Sequence, residues 1–230
     1  MPAAVPRSLF LPAPLVPSDA RALIERLAAR VACGVDEIAV FESQTAAIGA
    51  LSNRLFAGQR VAIAEDASEA ITAAARRAAR LTTEVPVRPL VALVEGAREA
   101  DLLLVSSPIQ GGSAASILPR ELTLLRSRAP RPLIVLDLLR EDRARTPLTQ
   151  PALLLPATII VRGFGELWSA CGAGCLSELV FVAGASQLIH QLGAPPLPKG
   201  FAESACADLD REDLERCVRH STAMLHSSEC

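Results

Sequence analysis

Tyrosine is absent from this chain of 230 residues, lysine occurs only at Lys199, and aromatic residues make up 3% of the sequence. Proteins that bind nucleic acid combine a basic surface with aromatic side chains that stack on the bases. The formal net charge here is −2, so neither requirement is met. The composition therefore excludes nucleic acid as an expected partner.

Metal-binding and membrane-spanning patterns are also missing from the sequence. The six cysteines form no C-x-x-C pair, and the three histidines, at positions 190, 220 and 226, do not stand at ligand spacing from them. No apolar run approaches the ~20 residues of a membrane helix. Prolines interrupt residues 1–17, where a signal peptide needs an unbroken apolar stretch. We expect a cytoplasmic protein with reduced thiols, no metal and no membrane partner.

What the chain does have is apolar residues, 50% of the total, in short runs that alternate between strand and helix periods. Continuous apolar strands are buried on both faces, with helices as the crossovers between them. The pattern predicts an α/β fold, a doubly wound, mostly parallel sheet with helices on both faces. The expected strands are 37–41, 60–65, 84–88, 101–107, 132–137, 157–163 and 176–184, and the expected helices are 20–32, 45–56, 68–81, 90–98, 119–129 and 185–193.

Two segments flank this expected domain, which spans 18–193. Residues 1–17 are proline-rich and are expected to form an extended arm that lies on the domain itself or on a second copy of the chain. Residues 194–230 are expected to form a proline linker, 194–200, and a last helix over 203–227 whose start lies near Asp210.

Polar residues follow the first expected strand. In open α/β sheets, ligands bind beyond the carboxyl ends of the strands. Ser43, Gln44 and Thr45 stand at such an end and open a helix, where their side chains and backbone N–H groups are placed to hold a phosphate. The simpler alternative is a helix cap with no ligand.

Three further strand ends carry Ser107 in "SSPIQGGS", Asp137 in "VLD" and Glu166 in "RGFGE". A carboxylate at the tip of a buried strand needs a partner, because an unpaired buried charge is costly. For Asp137 the simple partner is a helix end or an arginine. The functional alternative is a cleft in which Asp137 and Glu166 face each other and divide acid and base roles, unless arginines such as Arg140 or Arg162 neutralise them.

From about residue 18 to 227, the order of these segments resembles the large domain of the fold type I aminotransferases, which use pyridoxal phosphate. The closest branch is that of histidinol-phosphate aminotransferase and threonine-phosphate decarboxylase. "LIVLDLLRED" resembles the strand whose aspartate pairs with the pyridine nitrogen, which maps that role onto Asp137. "TIIVRGFGELWSACGAGCLSELVFVAG" resembles the segment that carries the Schiff-base lysine. Glu166 stands at the lysine's position, and a carboxylate cannot form an imine.

Other departures from the family pattern fall on the cofactor contacts. The resemblance places Gly174 where the family has an arginine for the cofactor phosphate, and a position near Glu69 where an aromatic ring stacks on the pyridine. It also implies that the family's second, smaller domain is missing from this chain. What remains of the cofactor-binding set is vestigial: Thr45, Ser43, Gln44, Ser107 and Asp137.

The resemblance and its departures together imply a catalytically degenerate aminotransferase-like protein without pyridoxal-phosphate chemistry. We expect it to act as an interaction or regulatory subunit in a biosynthetic pathway, either as a homodimer or as a heteromer with a homologous or pathway enzyme. Two alternatives stay open. One is an enzyme with a repurposed pocket that uses Asp137 and Glu166 as acid and base, and the other is a non-covalent binder of pyridoxal phosphate or an amino-acid phosphate.

Overall fold

A computed structural model describes residues 18–65, 67–106, 119–138, 155–163, 179–194, 196–198 and 200–210. Within these ranges the strands are β1 Ile38–Phe41, β2 Arg60–Ala64, β3 Leu81–Val85, β4 Leu102–Ser106, β5 Leu133–Asp137, β6 Thr158–Gly163 and β7 Val180–Gly184. They form one sheet in the order β1-β7-β6-β5-β4-β2-β3. Strand β7 runs antiparallel to both of its neighbours, and every other pair is parallel. The predicted mostly parallel, doubly wound sheet is confirmed.

Seven helices pack on this sheet in the described part of the chain: α1 Ser18–Val31, α2 Gln44–Leu51, α3 Glu69–Ala78, α4 Leu90–Ala97, α5 Pro119–Arg128, α6 Ser186–Leu192 and α7 201–210. Helices α1, α4, α5 and α7 bury apolar side chains against one face of the sheet. Helices α2, α3 and α6 do so against the other face, and a π-helical turn, Ser52–Phe56, extends α2. None of the helices in the described ranges is long and apolar enough to cross a membrane.

Strand β3 begins three residues earlier than the sequence predicts, and it lies at one edge of the sheet. Val85 is its only buried residue, whereas β4 is buried along its whole length. A strand with one buried residue lacks the apolar run by which the inner strands are recognised. The expected range of 84–88 was therefore wrong, because it was based on Val85 and Val87 and left out Thr82 and Thr83, neither of which is buried.

The last described helix, α7, is continuous through 201–210, so the predicted start near Asp210 is wrong. Gly200 has a φ of +79°, a left-handed conformation that favours glycine, and the helix begins directly after it. The buried side chains of Ala202, Ala205 and Leu209 then form a stripe that packs into the same core as α1. Arg26 of α1 donates hydrogen bonds to the backbone oxygen of Cys206 and to the carboxylate of Asp210.

Helix α4 lies very close to β3 at Gly96. A Cβ atom built on Gly96 would stand 2.4 Å from Cγ1 and 2.9 Å from Cβ of Val85. Gly49, inside α2, has no atom within 4 Å of the equivalent position. Glycine at 96 therefore serves the approach of a helix to a strand, whereas glycine at 49 has no such steric reason.

The amino ends of the strands are held by two arginines. Arg126 of α5 is buried, and its guanidinium donates to the backbone oxygens of Ala129, Pro132 and Ala157 at 2.7, 2.8 and 3.0 Å. Burial lowers the pKa of Arg126. Arg60 donates to the Asp101 carboxylate from its backbone N–H at 3.1 Å and from Nη2 at 3.2 Å. These contacts connect β2 to Asp101, the residue before β4.

Candidate functional site

The carboxyl ends of β4 and β5 bring two polar side chains together. Ser106 is the last residue of β4, Asp137 is the last residue of β5, and the two are paired in register. Strand alternation places both on the face covered by α2 and α3, since Leu104 and Val135 belong to that core. Asp137 therefore lies at the end of a buried strand, as the sequence predicts, and it is only 2% exposed.

A third polar residue, Ser68, completes this cluster from the start of α3. Its hydroxyl donates a short hydrogen bond to Oδ2 of Asp137, and its backbone N–H donates to Oγ of Ser106 at 3.0 Å. The Ser106 hydroxyl also donates to Oδ2 of Asp137, at 3.3 Å. Ser68 is 5% exposed and Ser106 is 4% exposed. Two hydroxyls thus satisfy one oxygen of the buried carboxylate, and the three residues tie α3 to β4 and β5.

Ser68 stands at the N-cap position of α3, yet its side chain makes no capping hydrogen bond. A serine in this position ordinarily accepts a hydrogen bond from a backbone N–H of the first helical turn. Here the hydroxyl points its hydrogen at Asp137 instead, because a carboxylate is the stronger acceptor. Ser68 was not predicted as a site residue, and its only local signal is a serine three residues after the end of the expected strand at 60–65.

One turn further along α3, Thr72 is 8% exposed, and its buried Oγ1 has no hydrogen-bond partner among the residues that the structure describes. Its backbone N–H donates to the carbonyl of Ser68 at 3.0 Å, so the two residues lie on one face of the helix. The helix face that carries the Asp137 contact therefore buries a second hydroxyl, that of Thr72.

The predicted phosphate site lies on a different element. Ser43 is the N-cap of α2, and its Oγ accepts a hydrogen bond from the N–H of Ala46 at 3.2 Å. Gln44 and Thr45 are exposed at the same helix end. Strands β7 and β6 separate β1 from β5, so these two strands lie three strand spacings apart, roughly 14 Å. Ser43 thus acts as the helix cap, and a phosphate role for this end stays a prediction.

Other predicted site residues lie outside the described ranges. Ser107, Glu166 and Arg140 are among them, so the proposed pairing of Asp137 with Glu166 stays a prediction. Arg162 is described and is 2% exposed. Alternation along β6 places it on the same face as Ile160, which packs with α1 and α4, and not on the face of Asp137.

At Asp137 a pyridine nitrogen would meet a carboxylate that already accepts hydrogen bonds from two hydroxyls. The resemblance assigns that nitrogen to this carboxylate, but Oδ2 already accepts hydrogen bonds from Ser68 and Ser106. A ring nitrogen that approached Oδ2 would compete with the Ser68 hydroxyl for that oxygen. Among the described residues, no group of three or more histidine, cysteine or acidic side chains could hold a metal ion.

No protein-family model and no curated protein sequence matches this chain. Several solved structures are similar to it. L-threonine-O-3-phosphate decarboxylase from Porphyromonas gingivalis is similar with a TM-score of 0.64 and 17% identity, over 81% of this chain and 57% of that one. N-succinyldiaminopimelate aminotransferase from Mycobacterium tuberculosis is similar with a TM-score of 0.65 and 18% identity, over 91% and 61%. Histidinol-phosphate aminotransferase from Sinorhizobium meliloti, solved with pyridoxal-5'-phosphate, has a TM-score of 0.60 and 19% identity, over 85% and 56%.

The similarity thus covers most of this chain but less than two thirds of each of those structures. Identities below 20% establish a shared fold rather than a shared activity. The chain has the fold of the large domain of the fold type I, pyridoxal-phosphate-dependent aminotransferases.

Proposed function

We propose that this chain is a catalytically degenerate aminotransferase-like protein that carries out no pyridoxal-phosphate chemistry and acts as an interaction or regulatory subunit. The observation that carries the proposal is the state of Asp137. The carboxylate assigned to the cofactor nitrogen is 2% exposed and accepts hydrogen bonds from Ser68 and Ser106. A group whose hydrogen bonds are made within the fold serves to hold α3 on the sheet.

The sequence supports the same proposal at two positions. Covalent capture of pyridoxal phosphate requires an amine, and the resemblance places Glu166 where the family has its lysine. It places Gly174 where the family has the arginine that neutralises the cofactor phosphate. Loss of both groups would remove the covalent bond and a strong charge-assisted contact together.

A role as a subunit is supported by what the chain retains. Both cores are built from continuous apolar strands and amphipathic helices, so the fold is maintained although the cofactor contacts differ. A fold of this kind offers a surface to an active homologue or to another enzyme of the same biosynthetic pathway. We propose that such an enzyme, or a second copy of this chain, is the partner.

Titration with pyridoxal phosphate tests the loss of cofactor chemistry. We expect neither a new absorbance band nor a rise in Tm at saturating cofactor, because a ligand that binds the folded state must stabilise it. The control is Lys199→Arg, which removes the only lysine and with it any adventitious imine formed by a side chain. A band and a Tm rise that persist in Lys199→Arg would replace the proposal by a non-covalent cofactor binder.

The subunit role is tested separately with the tagged full-length chain. We expect an aminotransferase or another pathway enzyme to co-purify in a defined ratio, and its kcat/KM to change when the chain is added back to the purified enzyme. A chain that changes no such enzyme's kinetics, and that turns over a substrate by itself, would point instead to the repurposed pocket. In that case Asp137→Asn and Glu166→Gln should each abolish turnover.

A further inference from the structure

The amino ends of strands β3, β2, β4 and β5 lie in one row and are linked by backbone hydrogen bonds. Arg80, directly before β3, donates to the backbone oxygen of Gln59 at 2.9 Å. Asp101, directly before β4, donates to that of Arg60 at 2.8 Å, and Leu133, the first residue of β5, donates to that of Asp101 at 2.9 Å. The starts of these four strands therefore form one continuous surface, roughly 14 Å across at the usual strand spacing.

The helices that connect these strands also end at this surface. Helices α3, α4 and α5 each join two parallel strands, so each runs back against the strand direction and ends where the next strand begins. The π-helical turn Ser52–Phe56 ends there too, since Gly58 donates to the backbone oxygen of Ala78 at 3.2 Å. We call this surface the basic end. Its exposed or half-buried arginines are Arg54, Arg60, Arg77, Arg80, Arg98, Arg128 and Arg131.

The described acidic residues of the basic end do not balance these arginines. Asp101 accepts hydrogen bonds from Arg60, and its Oδ1 lies 3.6 Å from Nη2 of Arg131. Glu99 is exposed beside it. The arginines that form no ion pair within the described ranges are Arg54, Arg77, Arg80, Arg98 and Arg128. The basic end therefore carries a surplus of positive charge, although the whole chain has a net charge of −2.

Acidic residues that could neutralise this surplus lie at the opposite end of the sheet. Glu42 follows β1, Glu65 follows β2, and Glu69 begins α3, and all three are exposed. The helix dipole accounts for an arginine in the last turn of a helix, such as Arg77, but not for Arg80, which follows α3. Like charges that are gathered on one surface repel each other and lower stability. An anionic partner would offset that cost.

The open edge of β3 borders the basic end, but it suits an acidic strand poorly. The N–H of Leu81 and the C=O of Val85 are bonded to the β2 side, with N···O distances of 3.4 and 3.0 Å. Alternate residues of a parallel pair face the same neighbour, so Thr82 and Glu84 direct their backbone groups outward. The next outward residue, Pro86, has no N–H, and the Glu84 carboxylate repels acidic side chains. We therefore expect an acidic segment to lie across the strand ends.

We propose that the basic end binds a segment of a partner protein that is rich in aspartate and glutamate. A guanidinium group presents a planar fork of N–H donors that matches the two oxygens of a carboxylate. Helices α3, α4 and α5 direct carbonyl groups at this end, whereas phosphate sites use the N–H groups of a helix start. No aromatic side chain of the described residues is exposed there to stack on bases. This inference rests on the proposed function, since it names the surface by which the subunit meets its partner.

Fluorescence anisotropy with a labelled acidic peptide tests the binding. The probe is a peptide of about eight glutamates, which spans roughly 26 Å when extended and so crosses the row of strand ends. We expect the full chain to bind it at low salt and to bind it several-fold more weakly when salt is raised from about 50 to 200 mM, because the charges are then screened. A glutamine peptide of the same length should not bind.

Charge reversal shows whether the basic end is the surface involved. Arg80→Glu should raise the Kd for the glutamate peptide by about fivefold, and the double variant Arg77→Glu, Arg80→Glu by about 20-fold, since attractions become repulsions. Arg120→Glu is the matched control. Arg120 is also exposed and forms no ion pair among the described residues, but it lies at the start of α5, at the opposite end of the sheet, so its Kd should stay within about twofold. Equal Tm values confirm that the variants are folded.

A chain that does not bind the glutamate peptide at low salt overturns the proposal. So does a Kd that responds to Arg80→Glu no more than to Arg120→Glu. Tighter binding of a thymidine oligonucleotide of the same length, or of phosphatidylserine vesicles, also overturns it, because the basic end would then serve nucleic acid or a membrane.

The subunit role can fail separately from this surface. If the double variant Arg77→Glu, Arg80→Glu co-purifies with an enzyme and changes its kcat/KM as the wild type does, the surface is wrong and the subunit role stands. If the wild type binds the peptide but changes no enzyme's kinetics, the subunit role is wrong and the surface stands.

Discussion

Replacement of Asp137 by asparagine should lower the free energy of unfolding by about 2 kcal/mol, because two hydrogen bonds to a charged acceptor become bonds to a neutral one. The side chain keeps its shape and most of its volume. What changes is the strength with which Oδ accepts the hydroxyls of Ser68 and Ser106. In a chain of this length, the loss corresponds to a fall in Tm of roughly 4–8 °C.

Ser68→Ala should cost about 1.5–3 kcal/mol, since it removes one donor from a buried carboxylate. The double variant Ser68→Ala, Asp137→Asn should cost less than the sum of the single variants by about 1 kcal/mol, because both changes weaken the same bond. Ser52→Ala is the matched control. Its hydroxyl makes a long bond of 3.4 Å to the Ala74 carbonyl in the same layer, and its removal should change stability by less than about 0.5 kcal/mol.

Urea titrations followed by circular dichroism give the required values, with the midpoint as the robust quantity if the slope is unchanged. The sign of the stability change in Asp137→Asn distinguishes a structural carboxylate from one kept for a ligand. A carboxylate kept for a ligand is held at a cost to the empty fold, so its neutralisation would leave stability unchanged or raise it. An unchanged or raised midpoint in Asp137→Asn, with no coupling to Ser68, would refute the structural role assigned to this cluster.

Three further predictions concern the rest of the fold. Gly96→Ala should lower the unfolding free energy by about 1–3 kcal/mol through the clash of α4 with β3, whereas Gly49→Ala should raise it by about 0.5–1 kcal/mol; urea midpoints compare the two. Arg126→Met should cost about 3 kcal/mol in the same assay, because several carbonyls lose a charged donor. The hydrogen bond from Arg60 lowers the pKa of Asp101. This contact therefore stabilises the fold above the unfolded pKa of about 4, and the stabilisation is lost as the pH falls through the lower pKa of the folded state. Asp101→Asn should make Tm less dependent on pH in this acidic range.

The inner strands could be predicted closely from sequence because apolar runs end at polar residues there. Strand β5 was expected at 132–137 and is found at Leu133–Asp137, with Asp137 as the boundary in both. Strand β3 was misplaced because its edge position relieves it of the apolar pattern. The start of α7 was expected near Asp210, too late in the chain, because its stripe of small residues, Ala202 and Ala205, is a weaker signal than the charged run after it.

In the candidate site, too, one residue could be predicted from the sequence and another could not. Asp137 could be predicted because a charge at the end of an apolar strand is conspicuous. Ser68 could not, because its partner lies 69 residues away and a serine before a helix normally signals a cap. Pairwise contacts between distant segments leave no local pattern in one sequence, so the hydrogen bonds from Ser68 and Ser106 to Asp137 became visible only with the fold.

Asp137 and strand β3 differ in where their hydrogen-bonding capacity lies. At the carboxyl ends of β4 and β5, the hydroxyls and the carboxylate oxygen are directed at one another inside the protein. At β3, the backbone groups of Thr82 and Glu84 are directed outward at a surface. Buried polar groups that are satisfied within the fold resist displacement by a ligand, whereas a strand edge gains hydrogen bonds on association. The capacity for new hydrogen bonds is therefore greater at the exposed strand β3 than at Oδ2 of Asp137.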